Sequence, residues 1–80
     1  MKDEATNIYN ENKLAYEIAN ALNDREALPL YLTFTRKYQE SFLRKILTRV
    51  MSIPEEKIKR TRGALFTYLV NEHGNNHSRP

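Results

Sequence analysis

Apolar residues recur at three- and four-residue spacing in separate blocks along the chain. Between Asn10 and Leu22 the repeat is Leu14, Ala15, Ile18, Ala19 and Leu22, which predicts an amphipathic helix. Ile8 and Tyr9 extend this helix or cap it by packing. Asn23-Asp24 marks its end, because Asn tolerates positive φ and Asp suits the N-cap of a following element. A second stripe, Phe42, Leu43, Ile46, Leu47, Val50 and Met51, lies opposite a polar face of Ser41, Arg44, Lys45, Thr48 and Arg49. Gln39-Glu40-Ser41 reads as the break that precedes it.

The segment between these stripes is ambiguous by pattern. Leu28, Leu30, Leu32 and Phe34 alternate as on one face of a strand. A lone strand would leave its backbone hydrogen bonds unmade, and no second strand candidate exists in the sequence. A helix from Pro29 to Tyr38 removes the difficulty, and its apolar residues on most sides suit a central position.

The stretch Ser52–Asn71 organises the last third of the chain. Ser52 and Glu55 have capping-box spacing, and Pro54 would fall in the first turn, where its missing N–H costs nothing. Glu55 and Glu56 would then sit at the positive end of the helix dipole. This predicts a long helix from Ile53 to Glu72, stopped at His73-Gly74 with Gly74 as a left-handed cap. Residues 1–7 are polar and expected to be disordered, 8–73 form a single helical domain, and 74–80 lack periodicity and read as a disordered tail. The expected fold is all-α: a compact four-helix domain with a long C-terminal helix.

Composition narrows the chemistry. The 80 residues include no cysteine, so neither disulfides nor Cys-based zinc can supplement the core. No apolar run approaches the roughly 20 residues needed to span a bilayer, and the first residues lack a secretory apolar segment. A cytoplasmic protein is expected. Net charge is +3, and its distribution is uneven. Residues 1–40 hold five Lys/Arg against seven Asp/Glu; residues 41–80 hold eight against three. Either a surface attracts polyanions or the two halves attract each other.

The positive charge concentrates at Lys57, Lys59, Arg60 and Arg62. On a helical wheel Ile58, Leu65, Phe66 and Leu69 set the core-facing arc. Arg62 falls within that arc, Lys57 and Arg60 face outward, and Lys59 lies at the border. Arg62 is therefore expected to pair with a carboxylate of the acidic half, Glu17, Asp24 or Glu26, since an unpaired buried charge is costly. Lys57, Lys59 and Arg60 are candidates for phosphate contact, backed by Arg44, Lys45 and Arg49 on the preceding helix. Cations early in a helix oppose its dipole, an arrangement that a bound phosphate would make favourable. A charge run is also the ordinary makeup of a solvated face.

Thr48, Ser52 and Ile58, with Leu47, Met51 and Ile53 as apolar neighbours, have the spacing of a small residue, a turn residue and a buried aliphatic. Residues 42–66 thereby resemble a helix-turn-helix DNA-binding unit. The resemblance implies that Pro54–Phe66 is a recognition helix lying in the DNA major groove, carrying Glu55, Glu56, Lys57, Lys59 and Arg60 toward bases or backbone.

Other features carry less. His73 and His77 are four apart, but Gly74 and two Asn between them argue against a helical metal site. The aromatics Tyr16, Tyr31, Phe34, Tyr38, Phe42 and Phe66 have core spacing, whereas Tyr68 lies off the apolar arc and is free to stack on a base or pack on another subunit. No catalytic constellation, metal site or cofactor motif is present, so an enzyme is not expected. The expected function is nucleic-acid binding, with double-stranded DNA ahead of RNA, through the last two helices, with no membrane or small-molecule partner; a homodimer would suit a two-fold operator. The alternative is a protein–protein interaction module docking on an acidic partner.

Overall fold

Four α-helices carry the described residues: α1 (Lys2–Ala21), α2 (Leu28–Lys37), α3 (Glu40–Met51) and α4 (Arg62–His73). The computed structural model describes the backbone of residues 2–79 and the side chains of residues 12–79. Among the described residues there is no strand, and the all-α four-helix domain read from the sequence is the architecture found. The helical backbone of α1 begins at Lys2, within the segment expected to be disordered; the side chains there lie outside the described set.

The end of α1 follows from Asn23, which adopts φ 53°. With Asn23 left-handed, the Asp24 N–H reaches back to the Ala19 carbonyl at 2.8 Å and the Asn23 N–H to Asn20 at 3.1 Å, the paired bonds of a Schellman stop. Asp24 does not cap the next element with its side chain. Its carboxylate accepts instead from the Tyr31 hydroxyl at 3.1 Å. A 3-10 turn at Arg25–Ala27 leads into α2, where Pro29 occupies the opening turn.

The ambiguous segment is thus helical, and its buried face is Tyr31, Phe34 and Thr35, continued by Tyr38 just beyond the helix end. It is not buried all round, as a central helix would be: Leu30 points outward at 39% exposure, so α2 has a solvent side. The five residues of the α1 stripe are all buried, as are Phe42, Leu43, Ile46 and Val50 of α3 and Phe66 and Val70 of α4. Tyr16 and Met51, expected in the core, are exposed.

Ring contacts connect the elements. Phe66 meets Tyr31 edge-on at 5.7 Å between centroids and Phe34 at 6.3 Å. Phe34 meets Tyr38 at 5.9 Å, and Tyr38 meets Phe42 at 5.8 Å. The series closes on His77, whose ring stacks on Phe42 at 4.3 Å and 3°.

That last contact corrects the expectation of a disordered tail. After α4 the chain makes a 3-10 turn at Gly74–Asn76 and then runs antiparallel to Tyr38-Gln39. The Gln39 N–H donates to the His77 carbonyl at 2.8 Å, and the Arg79 N–H to Lys37 at 2.9 Å. Arg79 Nε also donates to the Thr35 carbonyl at 2.6 Å. The strap has no apolar periodicity because backbone bonds, one imidazole and the Arg79 guanidinium hold it, which a search for hydrophobic stripes cannot register. Gly74 is not a left-handed cap either: its φ is −75°. Glycine is required by space, since a Cβ there would overlap the Tyr38 ring.

Two outcomes follow from this packing. Gly74→Ala is expected to destabilise the domain by about 1–3 kcal/mol and to lower hydrogen-exchange protection of the Gln39 amide, because Tyr38 is buried and has little room to yield. Burial, followed by the adjacent Asp24 carboxylate and its hydrogen bond, pushes the Tyr31 phenol well above its ordinary value of 10.0. The unfolded chain releases this proton near pH 10 while the folded protein retains it. The contribution to stability is full below pH 10 and falls as pH rises beyond it. Urea titrations across that range should show a shallower alkaline decline in Tyr31→Phe than in the parent.

Candidate nucleic-acid interface

The long helix expected from Ile53 to Glu72 is interrupted, and the interruption builds the site. Ser52 closes α3 rather than opening a helix: its N–H donates to Thr48 and Arg49 carbonyls, and its Oγ donates to the Thr48 carbonyl at 2.8 Å. The expected capping box with Glu55 is therefore not formed. Pro54 disfavours helical backbone at Ile53 and takes an extended conformation itself, with ψ 141°. Glu55–Lys57 make only a 3-10 turn, and Ile58 leaves it in an extended conformation.

The helix restarts only where a cap is available: α4 begins after Thr61, whose Oγ1 accepts from the Ala64 N–H at 3.0 Å. Pro54–Phe66 is thus helical only from Arg62 onward, which removes the continuous recognition helix that the helix-turn-helix resemblance implied.

Arg62 is half-buried but pairs with no carboxylate among the described residues. Its Nη1 donates to the Val50 carbonyl at 2.7 Å, tying the start of α4 to the last turn of α3. The expected partners are occupied elsewhere or lie apart: Asp24 takes the Tyr31 hydroxyl, and Glu17 takes Arg44. A carbonyl at a helix C-terminus carries partial negative charge, so the guanidinium finds a suitable acceptor without a full anion. Gly63 completes the docking of α4, since a Cβ there would stand 2.5 Å from Asp24 Oδ2 and 3.0 Å from the Tyr31 hydroxyl.

The six candidate cations separate into three groups. Lys57, Lys59 and Arg60 are exposed and rim a groove of about 360 Å³ floored by Ile58, Ala64, Leu65 and Tyr68. No carboxylate among the described residues lies within ion-pair distance of these three. Glu55 and Glu56 do not line the groove.

Lys45 and Arg49 belong to a different hollow of about 300 Å³, shared with Phe42, Ile46, His73 and His77. The two hollows have no lining residue in common, so α3 and the 57–60 segment do not merge into one basic groove. No third metal-binding side chain among the described residues joins His73 and His77.

Arg44 stands alone. It bonds Glu17 at 2.9 Å and Glu40 at 2.7 Å, and these bonds, Glu17 first, raise its pKa. Its charge is compensated by these two exposed carboxylates.

Tyr68 at 59% exposure was recognisable from its position off the apolar arc, but its juxtaposition with Lys57, Lys59 and Arg60 depends on the break at Ile58. No helix among the described residues is long and apolar enough to cross a membrane. No protein-family model, curated protein or solved structure matches the chain.

The two arginines differ in what they hold. Arg62→Ala is expected to cost about 1.5–2 kcal/mol in urea unfolding, through loss of a charge-assisted bond at a partly buried carbonyl. Arg44→Ala, at an exposed ion pair, is expected to cost less than about 1 kcal/mol in the same assay.

Proposed function

We propose that this protein binds nucleic acid through phosphate contacts made by Lys57, Lys59 and Arg60, with Lys45 and Arg49 as a second, separate point of backbone contact. The observation that carries the reading is the 57–60 segment itself. It holds three exposed cations with no ion-pair partner among the described residues, on non-helical backbone just ahead of the positive end of α4. Like charges gathered this way repel each other, and a polyanion relieves the repulsion.

Duplex DNA is the first partner to test. In this reading its phosphates meet the loop and the outer face of α3, and no helix is inserted deeply into the major groove: Arg62 turns inward to Val50 and Gly63 is buried against Asp24. Backbone contact of this kind positions a protein without reading sequence. Docking on an acidic protein partner is the second reading, supported by the exposed Tyr68 beside the cations.

Fluorescence anisotropy with a mixed-sequence duplex over a salt series tests the proposal. Lys57→Ala, Lys59→Ala and Arg60→Ala should each weaken binding and reduce the slope of log K against log salt by about 0.9. Arg44→Ala should leave the slope unchanged. Absence of binding at low salt, to the duplex and to a single strand of the same length, would reject nucleic acid in favour of the acidic protein partner.

A further inference from the structure

We infer that the groove beside Tyr68 receives an unpaired nucleobase, so that the preferred ligand is a single strand or an unpaired segment and not a fully stacked duplex. The inference rests on the nucleic-acid reading and specifies its ligand.

Among the described residues Tyr68 is the most exposed of the large apolar side chains, at 59% against 45% for Tyr16, 43% for Met51 and 39% for Leu30. It shares a hollow with the cation segment, which the other three do not. Along α4, Thr61, Ala64, Leu65 and Tyr68 follow one another at three- and four-residue spacing, so they share a face. Ala64 is small and leaves the approach to the Tyr68 ring open, while Ile58 and Leu65 supply an apolar floor.

The groove offers two kinds of chemistry side by side. One is an apolar, aromatic surface suited to a flat ring; the other is a rim of three cations suited to the phosphates on either side of that ring. A nucleotide presents those two features in that order. In a duplex the base faces are already stacked on their neighbours and cannot reach an aromatic side chain on the protein surface. In a single strand every base has a free face, and stacking on an aromatic is tolerant of sequence. An arginine at the rim, here Arg60, adds its own planar contact with a base or ring.

The test compares a labelled short oligo-dT strand with a hairpin duplex of equal charge, closed by a non-nucleotide linker so that it offers no unpaired base, for the parent protein and for Tyr68→Ala, Tyr68→Phe and the Lys59→Ala/Arg60→Ala pair. Because Tyr68 is on the surface, circular dichroism should show every Tyr68 variant folded. The parent should bind oligo-dT more tightly than the hairpin. Tyr68→Ala should weaken oligo-dT binding by roughly 5- to 100-fold and leave the hairpin unchanged. Tyr68→Phe, which keeps the ring, should stay within about 2-fold of the parent. Upfield movement of the Tyr68 ring protons on addition of oligo-dT would report the stack directly.

If Tyr68→Ala binds oligo-dT as the parent does while the cation pair weakens both probes, the stacked base is rejected and the phosphate contacts stand. If neither probe binds, both are rejected. Binding of an acidic peptide with sensitivity to Tyr68→Ala, in the absence of oligo-dT binding, would assign the groove to a protein partner and overturn the inference.

Discussion

Phe66 is the contact on which the arrangement turns. It is fully buried, and it touches Tyr31 and Phe34 of α2 from α4. α1 packs mainly on α2, and α4 on α3 and the turn that follows it. Phe66 and the close approach at Gly63 bring α4 onto the other helical pair. Burial of a phenylalanine is worth roughly 1.5–3 kcal/mol, and each edge-to-face ring pair adds about 0.5–1.5 kcal/mol. In a chain of 80 residues with no cysteine, contributions of this size are a substantial part of net stability. The rings continue from Phe34 through Tyr38 and Phe42 to His77, so the same series that seats α4 also holds the C-terminal strap.

The position of the candidate interface is a by-product of this seating. With Phe66 fixed against α2 and Arg62 tied to Val50, residues 52–61 must connect two helix ends that are already placed. They do so without α-helical backbone, and the cations among them stay on the surface because nothing in the core can accept them. The groove lies where this connection passes α4 beside Tyr68. Separation of Lys45 and Arg49 into another hollow has the same origin: α3 turns its Phe42 and Ile46 toward the strap, and its cations line that side.

The amphipathic stripes of α1 and α3 were legible because burial selects apolar residues at helical spacing, and both stripes are found largely inside. The helix–strand ambiguity at α2 was resolved by the demand that backbone groups find partners, and that demand held. The break after Ser52 was not legible because Ile58, Leu65, Phe66 and Leu69 keep helical phase across a segment that is not helical. Ser52 and Glu55 also reproduce a capping box that the end of α3 pre-empts. Thr61 ahead of Arg62-Gly63, following three crowded cations, was the available sign of a later start. The strap was invisible for a different reason: its partners are carbonyls and amides 38 or more residues away, and backbone groups leave no mark on side-chain pattern.

The bond between Arg62 and the Val50 carbonyl has a kinetic meaning beyond its contribution to the fold. It joins the two ends of the connection, so residues 52–61 form a closed loop whose conformational freedom is already restricted in the unliganded protein. A partner that lands on Lys57, Lys59 and Arg60 therefore meets a preorganised surface, and little further ordering is charged against association. Residence time of any partner on that surface would then depend in part on the order that Arg62 imposes on the loop, and loosening the tie would shorten it.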